Sequence, residues 1–389
     1  MRRAARIGAW IIGSLLTVIV ALVAAVWISG NTAGGRALIE RSITRFSAGH
    51  VQLSGLSGSF PAVIDLARLQ LADEHGVWLT AERISLRWSP LALLARHLKV
   101  ERLQLARLAI ERQPVSQPSQ KSSSTSVPHV DIDQISIETL ELGPELTGVR
   151  ALLFVGGAAH LRSMSDATAA VTAHRTDLGG DYEVSLRSDA ARMEATVQLE
   201  EPANGALANL LKVPGIGAVS VEANLTGPRD AESVQVTAHV GELRALAQGS
   251  VDLTHGTANL VYRVEAPAMI PRPDFTWKSL ALEGRWQGSA RAPHAEAQLR
   301  IEQLRIPGGG GLGTLDANLA ADGRELTAHA VAAGVLLPGP QPRLLADAPL
   351  RVDATTRLDD ASKPVRLTAN HHLFSLQAAA TTAEPLHAT

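Results

Sequence analysis

The residues of this chain with chemical potential fall into a few short groups. Gly308-Gly309-Gly310-Gly311-Leu312-Gly313 satisfies G-x-G-x-x-G. A dinucleotide site needs a helix directly after such a loop, so that the helix N-terminus meets the pyrophosphate. Here Leu315, Ala317 and Leu319 alternate as a strand does, so the glycines are expected to form a loop between strands. Gly55-Leu56-Ser57-Gly58 has the wrong spacing for a nucleophile elbow, and no G-x-x-x-x-G-K-[ST] phosphate loop occurs. The 13 histidines are scattered, and none sits in an H-E-x-x-H pattern. His371-His372 is the one adjacent pair. Neighbours on a strand face opposite ways, so the two are not expected to chelate one ion. Glu200-Glu201 precedes Pro202 and reads as a solvated turn. Cysteine is absent, which removes disulfides, thiolate metal sites and cysteine nucleophiles. The expectation is a protein that is not an enzyme, with no cofactor and no metal site.

The elements around these groups suggest a different kind of work. Arg2, Arg3 and Arg6 precede an uncharged apolar run, Ile7 to Ile28. At ~1.5 Å rise per residue such a run crosses the ~30 Å hydrocarbon core as a helix. Trp10 and Trp27 lie near its ends, where indole rings favour the membrane interface. The basic cluster keeps residues 1–6 in the cytoplasm and sends the body outward. Val23-Ala24-Ala25 offers the alternative of a cleaved signal peptide, but the run exceeds the ~7–15 residues of a typical apolar h-region. Arg36 to Phe46 has helical spacing of its apolar residues, fitting an amphipathic helix at the membrane or one packed on the first strands.

From Val51 the pattern changes to short alternating segments divided by turns such as Asp73-Glu74-His75-Gly76. Ser89-Pro90 opens a short helix, Leu91 to Leu98. Residues 113–129 read QPVSQPSQKSSSTSVPH, a Ser/Pro/Gln-rich linker between a 29–112 module and a 130–389 β region. A further helix is expected over Asn204 to Leu211. The recurring turns indicate a mainly β fold built on a meandering antiparallel sheet. Net charge is -2, which leaves no electrostatic footprint for nucleic acid. Mean hydropathy is +0.08, yet only 3% of residues are aromatic. The apolar faces are therefore Ala, Val and Leu. They either fill one another in a sandwich or barrel, or line an open groove that some apolar ligand covers.

Several stretches resemble the translocation and assembly module subunit TamB family, which is AsmA-like. They are NTAGGRALIER (Asn31–Arg41), GLSGSFP (Gly55–Pro61), GVWLTAERISLRWSPLALL (Gly76–Leu94) and ERLQLARLAIERQP (Glu101–Pro114). VPGIG (Val213–Gly217), LTGPRD (Leu225–Asp230) and APAMIPRPDFTWKSLAL (Ala266–Leu282) resemble its middle region. The resemblance implies a single-pass bacterial inner-membrane protein with a periplasmic body. That body would be an elongated, curled sheet with a taco-like apolar groove. It also implies outer-membrane biogenesis as the role, through phospholipid transport or assembly and secretion of outer-membrane proteins. The implied partners are inner-membrane phospholipid, an Omp85-type outer-membrane barrel and outer-membrane protein clients. Family members are longer, and their barrel-contacting C-terminal domain has no counterpart before Thr389, so the chain is expected to be C-terminally incomplete relative to them. Leu79, Leu86, Leu103, Leu105, Leu108 and Ile110 are the candidate groove-lining residues. The alternatives are a scaffold that templates barrel proteins by sheet-edge pairing and a truncated, non-functional fragment.

Overall fold

The structure, a computed structural model, describes residues 31–115, 129–163, 165–210, 214–357 and 365–380. The expected transmembrane segment Ile7 to Ile28 and most of the 113–129 linker lie outside the described residues. Among the described residues, no helix is long and apolar enough to cross a membrane. The protein is mainly β with a few short helices, in two compact units, Met1–Asp177 and Leu178–Thr389.

The first unit opens with helix α1, Ala33–Phe46. Thr32 caps it, its hydroxyl accepting from the Gly35 amide at 3.2 Å. Glu40 accepts from the Leu56 amide at 2.7 Å, and Arg36 donates to the Gly58 carbonyl at 3.0 Å. The helix thus lies alongside the residues that follow β1, and Leu38 and Phe46 stay exposed. Strands β1 (Val51–Ser54), β2 (Val63–Asp73), β3 (Gly76–Trp88) and β4 (His97–Ile110) follow as an antiparallel series. β3 runs unbroken through Arg83 and bends where Arg83 takes φ 51°. The helix expected over Leu91 to Leu98 is a shorter 3-10 turn, Pro90–Ala95, ended by Arg96 in the left-handed region.

β5 (His129–Leu142) pairs with β4 in parallel, which corrects the expectation of a wholly antiparallel sheet. Parallel neighbours need a connection of a dozen or more residues, and positions 111–128 supply it. The strands on either side of the linker, β4 and β5, thus belong to one unit. β6 (Ala151–Ser163) and β7 (Asp166–Arg175) complete this unit. Helix α2, Pro144–Thr147, joins β5 to β6.

The second unit is an antiparallel meander. It runs β8 (Asp181–Ser188), β9 (Arg192–Glu201), β10 (Val219–Pro228), β11 (Glu232–Val240), β12 (Leu243–Asp252) and β13 (Thr257–Ala266). A small hairpin, β14 (Met269–Arg272) with β15 (Phe275–Trp277), interrupts it. The meander resumes with β16 (Ser279–Ser289), β17 (Ala292–Ile306), β18 (Gly310–Asp322) and β19 (Glu325–Ala333). It ends in β20 (Leu350–Arg357), β21 (Val365–His371) and β22 (Phe374–Ala380). The glycines from Gly308 form the β17–β18 turn and the start of β18, as expected for a loop between strands. Helix α3, Ala206–Leu210, and the turn Pro214–Ile216 place Ala208 and Ile216 against Val219 in a small buried cluster.

Candidate functional site: an apolar sheet face

Strand register shows which residues share a face. In β6, Ala151, Leu153, Val155, Gly157 and Ala159 recur every second position, so they lie on one side. They stand opposite Leu142, Leu140, Ile137, Ile135 and Ile132. Residues directly opposite in a ladder share a face. The β5 set is therefore on that face too, although its spacing is three, two, three, two. The extra residues are absorbed by register irregularities between Ile132 and Ile135 and between Ile137 and Leu140. β4 repeats the same spacing in step: Val100, Leu103, Leu105, Leu108 and Ile110. β3 continues it with Leu86, Ile84, Ala81 and Leu79, the positive φ of Arg83 making the shift. β2 adds Ile64, Leu66, Leu69 and Leu71.

All the residues expected to line a groove, Leu79, Leu86, Leu103, Leu105, Leu108 and Ile110, thus stand on one face of the first unit. Leu105 is 9% exposed, while the others remain half-buried. A sheet packed under a second layer buries such side chains fully. Here they pack sideways on one another, and their tips stay open. The other face carries the charges. Arg68 pairs with Glu82 at 2.9 Å, and Arg107 with Glu141 at 2.6 Å.

The second unit has the same two-sided character. Leu199, Val221, Ala238, Ala245, Val264 and Leu282 stand opposite one another in successive ladders. Leu299, Ala317, Ala330, Val352 and Ala369 carry the row onward. On this face lies a cavity of about 380 Å³, with Tyr262, Trp286, Leu319 and Leu326 standing around a floor of Ala295, Ala297, Ala321, Ala328 and Ala354. The small side chains make the depth and the large ones the walls. Gly284 stands opposite Tyr262. A Cβ there would meet the Tyr262 hydroxyl at 2.6 Å and the Glu296 carbonyl oxygen at 2.4 Å. Glycine is what lets the tyrosine ring lie across the sheet. The reverse face holds cross-strand ion pairs, Arg263 to Glu283 at 3.1 Å and Arg300 to Asp316 at 2.7 Å. The Asp316 hydrogen bond holds the Arg300 guanidinium above its ordinary pKa.

This cavity was not among the expected lining residues. Its signal in the sequence was alanines in the apolar phase of β17 to β20, next to the strands that carry Tyr262 and Trp286 in the same phase. Two other expectations change. Glu201 is no solvated turn residue: it is buried, accepting from the Tyr182 hydroxyl and from the Ala206 amide at 3.2 Å. His371 and His372 do not alternate across a sheet, because β21 ends at His371 and His372 is already in the turn.

The arrangement offers an extended apolar surface backed by charge. Such a surface can take up hydrocarbon without fixed polar partners. No protein-family model matches the chain, nor does any curated protein or solved structure.

Proposed function

We propose that the protein holds phospholipid acyl chains against its apolar sheet faces and passes them along, without covalent chemistry, from the bacterial inner membrane. The observation that carries this reading is the half-exposed apolar face of each unit. A soluble monomer rarely leaves so much contiguous apolar surface to water unless something covers it. An acyl chain gains roughly 25 cal/mol per Å² of apolar area removed from water, with no demand for fixed polar partners.

Features at one end of the first unit support membrane docking there. The 3-10 turn Pro90–Ala95 exposes Leu91 by 79% and Leu94 by 87%. Arg87, Arg96 and Lys99 flank it, suited to anionic headgroups. Trp88, next to this turn, donates from Nε1 to the Pro61 carbonyl at 2.7 Å. Asn31 is tied to neighbouring Phe60 by two hydrogen bonds of 2.8 and 3.1 Å. Asn31, the first described residue, therefore lies at the same end as the exposed leucines.

In this reading Ile7 to Ile28 is the anchor, with the N-terminus cytoplasmic and the body periplasmic. The resemblance to the TamB family supports a place in outer-membrane biogenesis, with an Omp85-type barrel and outer-membrane protein clients as downstream partners. The test is lipid transfer by the full chain reconstituted in donor vesicles. The expected result is faster movement of a fluorescent phospholipid to acceptor vesicles. A rate equal to protein-free vesicles refutes the proposal.

A further inference from the structure

We propose that Asp347, His371 and His372 form a binding site for a divalent transition-metal ion of the zinc class. The site stands on residues outside the cavity and does not depend on lipid binding. His371 ends β21 and His372 opens the turn into β22, which brings the two imidazoles to one side. Their ring centroids are 4.3 Å apart, with planes at 49°. Asp347 comes from the segment between β19 and β20, which buried Leu345 fixes through its bridge to Val335. One carboxylate oxygen of Asp347 is 3.1 Å from His372 Nε2, and the other is 3.8 Å from His371 Nε2. One donor atom from each residue lies within 4.8 Å of the others.

A second observation points to a ligand. The His371 side chain is 0% exposed and stacks on Phe374 at 5.7 Å. Its Nε2 has no hydrogen-bond partner. A buried polar nitrogen without a partner is unfavourable, and this one is aimed at the Asp347 carboxylate. An ion between them satisfies it. Two imidazoles and one carboxylate suit zinc, nickel or copper, whereas calcium and magnesium take oxygen ligands. Bonds of ~2.0–2.1 Å set tetrahedral donors roughly 3.3 Å apart. The 3.1 Å contact between His372 Nε2 and one Asp347 oxygen is already close to that spacing, so that oxygen is the donor and the second, 3.8 Å from His371 Nε2, stays off the ion. Ligation through His371 Nε2 places the ring proton on Nδ1. The Leu373 amide, which donates to Nδ1 at 3.3 Å, then turns away, so one long hydrogen bond is exchanged for the metal bond. A fourth position remains for water. The bound ion clips the β19–β20 connection to the β21–β22 turn.

The test is titration of the chelator-treated full chain with zinc chloride, followed by calorimetry and by thermal melting. The expected result is one zinc per chain at micromolar concentration and a raised melting temperature. His372→Ala and Asp347→Asn, both at exposed positions, are each expected to weaken binding at least tenfold and abolish the thermal shift. His255→Ala, in a separate exposed pair with Asp252, leaves both unchanged. Absence of micromolar binding overturns the proposal, as does undiminished binding in correctly folded His372→Ala and Asp347→Asn proteins.

Discussion

Replacing Leu319 by arginine puts a guanidinium inside the apolar cavity of the second unit. The cavity measures about 380 Å³. At roughly 30 Å³ per methylene-sized group it holds about a dozen such groups. Each buried methylene contributes ~0.8 kcal/mol, so a full acyl segment gains at most about 10 kcal/mol there. Arginine has about three more side-chain heavy atoms than the leucine it replaces and so displaces roughly three methylenes, a loss of ~2.4 kcal/mol, or about 50-fold in occupancy of this site. Leu319 is 41% exposed, so folding pays little for the change. The neighbouring Asn318 is exposed on the charged face and gives a matched control. The assay is mass-spectrometric measurement of phospholipid retained by the purified full chain, with a photoreactive acyl chain reporting contact at this cavity. Leu319→Arg is expected to lose the local crosslink, while Asn318→Arg keeps it. Equal crosslinking in both variants, or equal loss in both, refutes the assignment of faces.

The absence of cysteine makes single-site labelling straightforward. A polarity-sensitive dye at Leu94→Cys is expected to shift to the blue when the full chain is placed in anionic vesicles, and one at His75→Cys is not; an equal response contradicts docking through the Pro90–Ala95 turn. At the β4–β5 seam, burial pushes the Asp131 carboxyl up, but hydrogen bonds from His97, at 2.5 Å, and His160 outweigh it and leave the pKa lowered. A lowered folded pKa contributes stability that is present above the ordinary aspartate value near ~3.9 and is lost as pH falls through the folded one. Asp131→Asn should therefore flatten the acid limb of the melting-temperature profile, and an unchanged limb counts against this seam. Glu232 is 0% exposed with both carboxylate oxygens unpartnered, and burial pushes its pKa up. A raised folded pKa means stability is lost as pH rises through it. Glu232→Gln is expected to raise the melting temperature by about 2–4 °C at pH 8, with the gain vanishing in acid; the same gain at every pH contradicts the assignment.

Much of the fold can be read from the order of residues because each local rule agrees with its neighbours. Asp73 to Gly76 makes a turn, Pro90 starts a 3-10 turn, and Leu315, Ala317 and Leu319 alternate. The extended first face was harder to see. Val100, Leu103, Leu105, Leu108 and Ile110 break a strict period of two, so the segment reads as two short strands. Only opposed to the regular β6, through β5, does the three-two spacing prove to be a single face with added residues. Parallel pairing of β4 with β5 has no signature in alternation at all; it depends on where the 113–129 crossover returns the chain. The histidine pair is hidden from alternation for a similar reason. Strand alternation stops at His371, and one residue decides whether two imidazoles oppose or converge.

Site-by-site photocrosslinking in membranes tests the central claim most directly. A photoreactive amino acid placed in turn at Leu103, Gln104 and Leu105 samples the two faces of one strand. Leu103 and Leu105 lie on the apolar face, and Gln104 is exposed on the other. Phospholipid adducts are expected at positions 103 and 105 and none at 104. Adducts at all three, or at none, contradict the claim.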